Sequence, residues 1–340
     1  MNRIQLRDPE IHEIKNLVGE LASRYDSAEA PEFLDSASVY AHELPRRLRS
    51  ALNDFRLHEP ASACLVISGY PVDLSRIGKT PQDWRGRPAP SPCLEEELYL
   101  VLTGHLVGEP IGWSTQQDGR LIHDIFPMPG KEQEQLGMGS ETLLWWHTED
   151  AFHPLRGDYL GMMCLRNPDR VATTFGTPDL SGLEPRHVEL LFQPLFTIRP
   201  DESHLKKNAG DLSRAESELA SEYTSIEKMD TAPDKISVLF GDPREPYLRL
   251  DPYFMDEVQQ PPEAYEALQA LIEQIDSRLQ DLVLEPGDVC LIDNFKAVHG
   301  RKPFKARYDG EDRWLKRINV TRDLRKSRAS RKWAADRIIH

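Results

Sequence analysis

Two histidines and a glutamate stand at the ends of apolar runs that are far apart in the chain. Residues 145–150 read Trp-Trp-His-Thr-Glu-Asp, and residues 297–301 read Ala-Val-His-Gly-Arg. Because side chains alternate in direction along an extended segment, His147 and Glu149 are expected to point the same way. Two histidines and one carboxylate on one face leave about three coordination positions open, which is the arrangement of non-haem Fe(II) oxygenases. The spacing therefore predicts an iron site formed by His147, Glu149 and His299.

The location of both histidines strengthens this prediction, since a His-x-Glu pair alone occurs by chance in many proteins. Burying an ionisable group at the end of an apolar run is costly unless the group is paired or binds a metal. His153 is the strongest competing ligand, and Asp150 is expected on the opposite face as a surface or hydrogen-bonding residue. Surface or packing roles are preferred for the other candidates, which are His105, His123, His187 and His204.

Two arginines follow the second histidine in a strand-like run. Arg313 and Arg317 are four residues apart, so both are expected on one face of the strand, with Trp314, Lys316 and Ile318 on the other. A dicarboxylic 2-oxo acid that chelates iron through its oxo-acid end leaves its far carboxylate to be neutralised, and a guanidinium does this with two parallel hydrogen bonds. The alternative is that these arginines are exposed on an edge strand and bind no ligand.

Short apolar runs dominate the part of the chain that holds these residues. The predicted strands are 63–70, 142–149, 159–166, 171–175, 235–240, 247–250, 289–292 and 314–320. Few helices separate them, which favours a double-sheet β architecture over alternating βαβ units.

Helical periodicity appears mainly outside these strands. The predicted helices are 9–25, 39–57, 95–106 and 262–284. Residues 201–232 are polar and indicate an insertion or lid. We predict a single catalytic domain over 1–340, with an N-terminal helical flank at 1–60, a core at 63–323 and a solvated basic tail at 324–340.

Composition narrows the class of protein. The chain has 340 residues, of which 39% are hydrophobic and 29% charged, and no stretch approaches the roughly 18 to 20 apolar residues of a membrane span. A formal charge of −14 gives no support to nucleic-acid or anionic-membrane binding. No secretory signal is evident, so a cytoplasmic location is expected, with the four cysteines reduced and structural. The amphipathic helices can pack internally or between subunits, which leaves a homo-oligomer open.

The motifs together resemble a known family. They are His147-x-Glu149, the segment Glu-Pro-Gly-Asp-Val-x-Leu-Ile-Asp-Asn at 285–294, His299-Gly-Arg, and arginines 14 and 18 residues after His299. This pattern closely resembles the clavaminate synthase-like branch of Fe(II)/2-oxoglutarate oxygenases, which includes hydroxylases of free asparagine, arginine and lysine. The resemblance implies a double-stranded β-helix, or cupin-like jelly roll, with flanking helices, and it implies Fe(II) as cofactor with 2-oxoglutarate and O₂ as co-substrates.

The resemblance also implies roles for individual residues. His147, Glu149 and His299 would bind iron, and Arg313 would pair with the distal carboxylate of 2-oxoglutarate. Thr173 matches the threonine that assists that carboxylate, although Thr174 is adjacent. Residues implied to hold the amino-acid substrate are Arg317 at its α-carboxylate, and Gln116 or Gln117 with Glu149 at its α-amine.

The substrate side chain is expected to be basic. Relatives that take basic amino acids place acidic residues before the long helix, where this chain has Asp251, and Asp251 could pair with an ammonium or guanidinium. The arginine-specific pattern has a second acid two residues later, and this chain has Tyr253 instead. One carboxylate plus a phenol suits a compact ammonium, which favours lysine before arginine. The alternative for Asp251 is a turn residue before Pro252.

The predicted reaction is hydroxylation of an unactivated C–H bond, at C3 or C4 of a free L-amino acid, with release of succinate and CO₂. Desaturation of the same substrate begins with the same hydrogen abstraction and stays open, as does which amino acid and which carbon is attacked. A zinc or manganese hydrolase or isomerase on the same scaffold would not need Arg313 and Arg317 on one face. A third alternative is a non-catalytic jelly-roll binding protein.

Overall fold

Two β-sheets face each other across a shared apolar layer, and helices cover their outer faces. The computed structural model describes residues 2–255 and 261–340, with the side chains of Leu212 and Ser213 excluded. Its helices are α1 (Asp8–Arg24), α2 (Pro31–Leu34), α3 (Ala37–Ala41), α4 (Arg46–His58), α5 (Leu74–Ile77), α6 (Leu94–His105), α7 (Pro185–Leu191), α8 (Leu212–Ser217), α9 (Ala220–Thr231) and α10 (Pro262–Asp276).

The strands divide between a large sheet, a small sheet and a hairpin. They are β1 (Asn2–Gln5), β2 (Cys64–Ser68), β3 (Glu109–Trp113), β4 (His123–Ile125), β5 (Leu144–His147), β6 (Tyr159–Arg166), β7 (Thr173–Gly176), β8 (Leu239–Asp242), β9 (Glu245–Leu248), β10 (Gln280–Leu282), β11 (Val289–Asp293), β12 (Val298–Arg301), β13 (Trp314–Thr321) and β14 (Ile338–Ile339). The large sheet has the order β1-β2-β11-β6-β13-β3-β14, with β4 beside β13, and the small sheet has the order β10-β7-β12-β5. The hairpin is β8-β9.

Strict alternation along the large sheet produces two apolar layers. In β6, Leu160, Met162 and Cys164 belong to the layer shared with Phe175 and Leu282 of the small sheet. The intervening residues of β6 face α1, α4 and α6; they are Tyr159, Met163 and Leu165. Because both faces of the sheet are buried, its strands read as continuous apolar runs in the sequence. A third cluster packs α7 and α10 outside the small sheet.

The structure confirms a sheet-rich fold with flanking helices and moves several element boundaries. Helix 39–57 is interrupted, because α3 ends at Ala41 and α4 begins after Pro45, a residue that has no N–H to donate. The long helix ends at Asp276 rather than 284, since Gln280–Leu282 pairs with β7 instead. The predicted strands 235–240 and 247–250 become the hairpin of β8 and β9.

The C-terminal segment was predicted to be a solvated tail, and this was wrong. Arg331 is buried and donates to the backbone carbonyls of Leu324, Trp333, Ala334 and Asp336. The chain then adds β14 to the edge of β3 in parallel. A basic residue that satisfies backbone carbonyls is structural, and composition alone does not distinguish it from a solvated one.

Two further findings bear on composition. All four cysteines are free and buried, as predicted. Within the described residues, no helix is both long enough and apolar enough to cross a membrane.

Candidate active site

The small sheet brings the two predicted histidine ligands together. His147, at the end of β5, is the direct cross-strand partner of His299 on β12, and their rings lie 4.8 Å apart. Glu149 follows β5 by two residues, and its Oε2 lies 3.7 Å from Nε2 of His147 and 3.3 Å from Nε2 of His299. Ligand atoms of the three residues fall within 4.8 Å of one another. Pairing of β5 with β12 therefore produces the triangular face that the sequence predicted.

Unsatisfied polar atoms in this cluster fit a bound metal ion. Oε2 of Glu149 and Nδ1 of His299 are buried without a hydrogen-bond partner in the described part of the chain. Nδ1 of His147 donates to the carbonyl of Trp145 at 2.8 Å, which leaves the Nε2 lone pair free for a metal. Burial opposes ionisation of Glu149, but Arg317 and the two histidines hold the pKa of Glu149 well below its usual range. Two imidazoles and a carboxylate are a donor set suited to Fe(II).

Asn294 fixes the backbone of Glu149. Its Oδ1 accepts from Glu149 N at 2.6 Å, and its Nδ2 donates to Glu149 O at 3.0 Å and to Gly157 O at 2.9 Å. The amide therefore joins the segment before His299 to the segment that carries Glu149. Such outer contacts orient metal ligands.

Asp150 is a buried hydrogen-bonding residue, which is one of the two roles predicted for it, and it lines the same cavity as the three ligands. It has a left-handed backbone, with φ 50°. Its Oδ2 accepts from Trp113 Nε1 and Asn319 Nδ2, and its Oδ1 accepts from Nε2 of His204 at 3.1 Å. Asp150, Asp201 and His204 could geometrically hold a second ion. Protein donors already occupy both oxygens of Asp150, so this cluster is a hydrogen-bonding network.

His153, the competing ligand, lies outside the metal cluster. Its Nδ1 accepts from Leu155 N, and its ring packs edge-on against Trp113. Burial lowers the pKa of His153 to about 3, so it is a neutral packing residue.

Arg313 is buried without an anion. It is 6% exposed, its Nη2 donates to Oγ1 of Thr173 at 3.1 Å, and its Nε has no partner. Among the described residues no carboxylate lies within 4 Å of the guanidinium, and burial lowers the pKa of Arg313 to about 10. An uncompensated buried charge is costly, so the environment favours an incoming anion. Both Arg313 and Thr173 line the cavity beside the triad, whereas Thr174 does not.

Arg317 projects from the same face of β13 and is held by two partners. Its Nη1 pairs with Oε1 of Glu149, and its Nη2 donates to Nδ1 of His123 at 2.7 Å. His123 is neutral, because burial and Arg317 lower its pKa to about 3. On the opposite face, Lys316 forms buried ion pairs with Glu97 and Asp124. The predicted division of β13 into two faces is therefore confirmed.

Gln116 and Gln117 differ in how fully their amides are used. The side chain of Gln117 exchanges two hydrogen bonds with the backbone of Asp124, at 3.0 Å each. Gln116 donates to Ser203 and Asp150, and its buried Oε1 has no partner among the described residues. It does not line the cavity beside the triad but a smaller neighbouring cavity, which it shares with Arg317 and Ser203. Gln116 is the glutamine whose acceptor is unused.

Two further carboxyl groups, those of Asp251 and Asp201, line the cavity. Asp251 is 6% exposed and has no cation within 4 Å among the described residues. Burial raises the pKa of Asp251 to about 7; the charge of nearby His147 opposes this rise, and the charge of Asp201 adds to it. Asp251 precedes a short 3-10 helix, Pro252–Phe254, but makes no capping hydrogen bond. Tyr253 is 48% exposed and lies outside the cavity lining, so the predicted pairing of a carboxylate with a phenol is wrong.

Asp201 comes from the polar segment that the sequence marked as an insertion. It begins the 3-10 helix Glu202–His204, and both Asp201 and Ser203 line the cavity. His204 anchors this helix, since it is fully buried between Asp150 and Oγ1 of Thr115. The cavity has an empty volume of about 780 Å³.

Sequence reasoning missed Asp201, Asn294 and the anchoring role of His204. Asn294 ends the motif at 285–294, and its proximity to a ligand strand was the available signal. Asp201 and His204 lie in a polar segment with no periodicity, and nothing in that segment indicates contact with the metal ligands.

The protein matches a family model and several characterised proteins. The model is described as taurine catabolism dioxygenase TauD, TfdA family, and it matches residues 202–319. Enduracididine beta-hydroxylase of Streptomyces hygroscopicus is 48% identical, and the match spans 100% of both proteins. L-ornithine/L-arginine 3-hydroxylase of Catenulispora acidiphila is 44% identical, and this match also spans 100% of both. Among solved structures, the non-heme iron oxygenase OrfP, in complex with Fe, succinate and (3S)-hydroxy-L-Arg, matches with a TM-score of 0.95, 46% identity and 100% coverage of both proteins.

More distant relatives extend the same group. Clavaminate synthase 2 of Streptomyces clavuligerus is 30% identical over 86% of this protein and 84% of its own length. L-lysine 3-hydroxylase of Catenulispora acidiphila is 29% identical over 92% of this protein and 82% of its own length. The chain belongs to the clavaminate synthase-like family of Fe(II)/2-oxoglutarate-dependent oxygenases, in the group that contains the free amino acid hydroxylases.

Proposed function

We propose that this protein hydroxylates C3 of a free L-amino acid that carries a guanidine, with arginine as the simplest candidate. It is an Fe(II)/2-oxoglutarate-dependent dioxygenase, and the overall reaction converts substrate, 2-oxoglutarate and O₂ to hydroxylated substrate, succinate and CO₂. One observation carries the proposal. A single cavity holds the His147, Glu149 and His299 face. It also holds a buried guanidinium, Arg313, and a buried carboxyl group, Asp251, neither of which has a partner of opposite charge within 4 Å in the described part of the chain.

Arg313 supports binding of 2-oxoglutarate in one orientation. The distal carboxylate would pair with the guanidinium and accept from Thr173, while the oxo-acid end would lie at the triad. A charge-assisted bidentate pair in a buried site is both strong and directional. Bound Fe(II) supplies the chemistry by which O₂ decarboxylates the oxo acid and oxidises a C–H bond.

Arg317, Gln116 and Glu149 would hold the amino-acid backbone. Arg317 is positioned to exchange part of its contact with Glu149 for the α-carboxylate, and His123 keeps the guanidinium in place during that exchange. The unpartnered Oε1 of Gln116 would accept from the α-ammonium, with Glu149 as its counter-ion. These contacts would fix the substrate at both charged groups of its α-carbon, which limits the carbons that can approach the metal.

Asp251 and Asp201 would hold the guanidinium. Asp201 from the polar segment would take the place of the missing second acid at position 253, because it lines the same cavity as Asp251. A planar guanidinium satisfies two carboxylates through several donors, whereas an ammonium is a point charge. Enduracididine beta-hydroxylase is 48% identical to this protein and L-ornithine/L-arginine 3-hydroxylase is 44% identical, whereas L-lysine 3-hydroxylase is 29% identical. We therefore place arginine before lysine, and C3 before C4.

We further propose that the two facing sheets form a double-stranded β-helix, or jelly roll, within one catalytic domain. Residues 201–232 would serve as a lid, because Asp201 and Ser203 reach the cavity while His204 anchors the segment. A lid that carries a substrate ligand excludes water only when substrate is bound. The core of this domain is proposed to span 63–323, a range in which residues 256–260 lie outside the described residues.

Succinate release measured with Fe(II), ascorbate and 2-oxoglutarate across the proteinogenic amino acids tests the function. With ornithine added to this set, we expect arginine to give the largest stimulation, then ornithine, then lysine. The product should be heavier by one oxygen, whose position NMR would assign to C3. Asp251→Asn and Asp201→Asn should raise the KM for arginine by about tenfold or more each, which corresponds to about 1.4 kcal/mol, while Tyr253→Phe should leave it unchanged. If no amino acid stimulates succinate release above background, the proposal fails.

A further inference from the structure

A basic groove lies on the opposite side of the large sheet from the active site. It runs between α4 and the C-terminal end of α6, and it is lined chiefly by Arg46, Arg49, Asn53, Arg56 and His105. The groove encloses about 940 Å³ of empty space, which includes open solvent. The buried faces of both helices pack against the large sheet, so the groove is separate from the cavity that holds the triad.

The three arginines share one face of α4 and have no anionic partner. Positions 46, 49, 53 and 56 recur at helical spacing, while Leu48, Leu52 and Phe55 face the core. Among the described residues, no carboxylate lies within 4 Å of Arg46, Arg49 or Arg56, and Nε of Arg49 is buried without a partner. Arg47, on the same helix, shows the usual pattern, since it pairs with Glu10 at 2.6 Å. Arg56 donates to Oδ1 of Asn53 at 3.2 Å, which is a neutral partner. Three guanidinia in one groove with no carboxylate partner among the described residues are unusual on a protein with a net charge of −14.

His105 supplies a recessed polar group to the same groove. Its side chain is fully buried, and neither ring nitrogen has a hydrogen-bond partner in the described part of the chain. Nδ1 lies 3.5 Å from Oε2 of Glu109, but that carboxylate already pairs with Arg337 at 2.8 Å. Burial, together with the charge of Arg337, lowers the pKa of His105 to about 3, so the ring is neutral and no ion pair forms. A neutral imidazole retains one N–H that can donate to a ligand.

The dimensions of the groove select the class of ligand. An α-helix rises about 1.5 Å per residue, so roughly 15 Å separates Arg46 from Arg56 along α4. A single tetrahedral anion cannot contact both ends, whereas an anion with two phosphate groups can bridge neighbouring guanidinia, and longer chains can engage all three. Guanidinium forks bind phosphate oxygens bidentately. We propose that this groove binds an oligophosphate anion, for which pyrophosphate is the smallest probe.

Isothermal titration of pyrophosphate into the full-length protein, saturated with 2-oxoglutarate so that Arg313 is occupied, tests the proposal at fixed ionic strength. We expect one binding event that is about tenfold or more weaker in R46Q/R49Q/R56Q. Arg24→Gln is the matched control because it removes one exposed charge from α1, and it should bind as the unmodified protein does. Arg49→Gln and His105→Phe provide single variants if the triple variant does not fold, and each should weaken binding.

The three groove variants (R46Q/R49Q/R56Q, Arg49→Gln and His105→Phe) and the control Arg24→Gln should all retain amino-acid-stimulated succinate release, which reports correct folding. Absence of pyrophosphate binding to the unmodified protein would overturn the proposal, as would equal affinity in folded R46Q/R49Q/R56Q. Citrate is the comparison anion, since it carries similar charge on carboxylates. Citrate affinity equal to that of pyrophosphate would contradict the assignment of the groove to oligophosphates.

Discussion

Arg313, directly before β13, and Arg317, within β13, line the same cavity, yet their surroundings are opposite. Arg313 donates to Thr173 and, among the described residues, has no carboxylate within 4 Å. Arg317 already has an anion, Glu149, and a neutral histidine that fixes its second nitrogen. One guanidinium therefore depends on a ligand for its counter-ion, and the other must share its counter-ion with a metal and a substrate.

The presence or absence of a carboxylate partner distinguishes the co-substrate site at Arg313 from the amino-acid site at Arg317. A cation that is buried without a partner raises the free energy of the unliganded state, so a matching anion recovers more on binding. A cation that begins in an ion pair gains less, because it exchanges one carboxylate for another. We expect the co-substrate to depend on Arg313 more steeply than the amino acid depends on Arg317.

Replacing Glu149 should have the largest effect, because this residue is both a metal ligand and the anionic partner of Arg317. Glu149→Ala removes a metal ligand and leaves Arg317 without an anion, so we expect no measurable amino-acid-stimulated turnover. Loss of a contact outside the ligand set lowers metal affinity by up to roughly 100-fold, and loss of a ligand should lower the affinity for Fe(II) further. The Fe(II) content after anaerobic gel filtration measures this loss. Glu149→Asp keeps the charge and serves as the control. Full turnover by Glu149→Ala would remove this residue from the iron site.

Arg313→Gln isolates the unpaired cation. Removing one side of a buried charge pair costs about 2 kcal/mol or more, so the KM for 2-oxoglutarate should rise by roughly 30-fold or more. The KM for arginine should stay within a factor of about two, well inside 1 kcal/mol. Without 2-oxoglutarate, the midpoint of thermal unfolding should not fall, because an uncompensated buried charge has been removed. An unchanged KM for 2-oxoglutarate would contradict the assignment.

Arg317→Gln should show the reciprocal pattern with a smaller effect. Loss of a hydrogen bond to a charged group costs about 1.5 kcal/mol, so the KM for arginine should rise by roughly tenfold. Binding of 2-oxoglutarate should be unaffected, and equilibrium binding to the two variants would separate the roles. The comparison would collapse if both arginine variants weakened the same ligand.

His123→Phe tests the contribution of the hydrogen bond from Arg317 to His123, for which we expect the smallest effect. The phenyl ring fills the buried site but cannot accept from Arg317, so the guanidinium loses about 1 kcal/mol of positional restraint. We expect the KM for arginine to rise by roughly fivefold, with iron content and 2-oxoglutarate affinity unchanged. A lowered iron content in this variant would show that His123 acts on the metal ligands instead.

The sequence predicted the triad and both arginines because period-two alternation determines direction along a strand. His147 and His299 were found because each follows an apolar run, and Arg313 and Arg317 because of their spacing. Thr173 was chosen over Thr174 from a motif, and its hydroxyl contacts Arg313. These residues depend on local geometry, which the sequence encodes within a few positions.

Residues that act through tertiary contacts could not be found in the same way. Asp201 reaches the cavity only because His204, three residues later, is buried against Asp150. The break before α4 and the end of α10 at Asp276 depended on Pro45 and on pairing with β7, respectively. The buried Arg331 shows the same limit, since its partners are backbone carbonyls that composition does not identify.

The pairing of β5 with β12 has a consequence for synthesis of the protein. His147 and His299 are 152 positions apart in the sequence, so a growing polypeptide carries only His147 and Glu149 until residue 299 has been added. The third ligand arrives with β12, which needs β7 on one side and β5 on the other. Closing so long a segment is an entropically costly late step. Iron can therefore be bound by all three ligands only after translation has passed residue 299 and β12 has paired with β5.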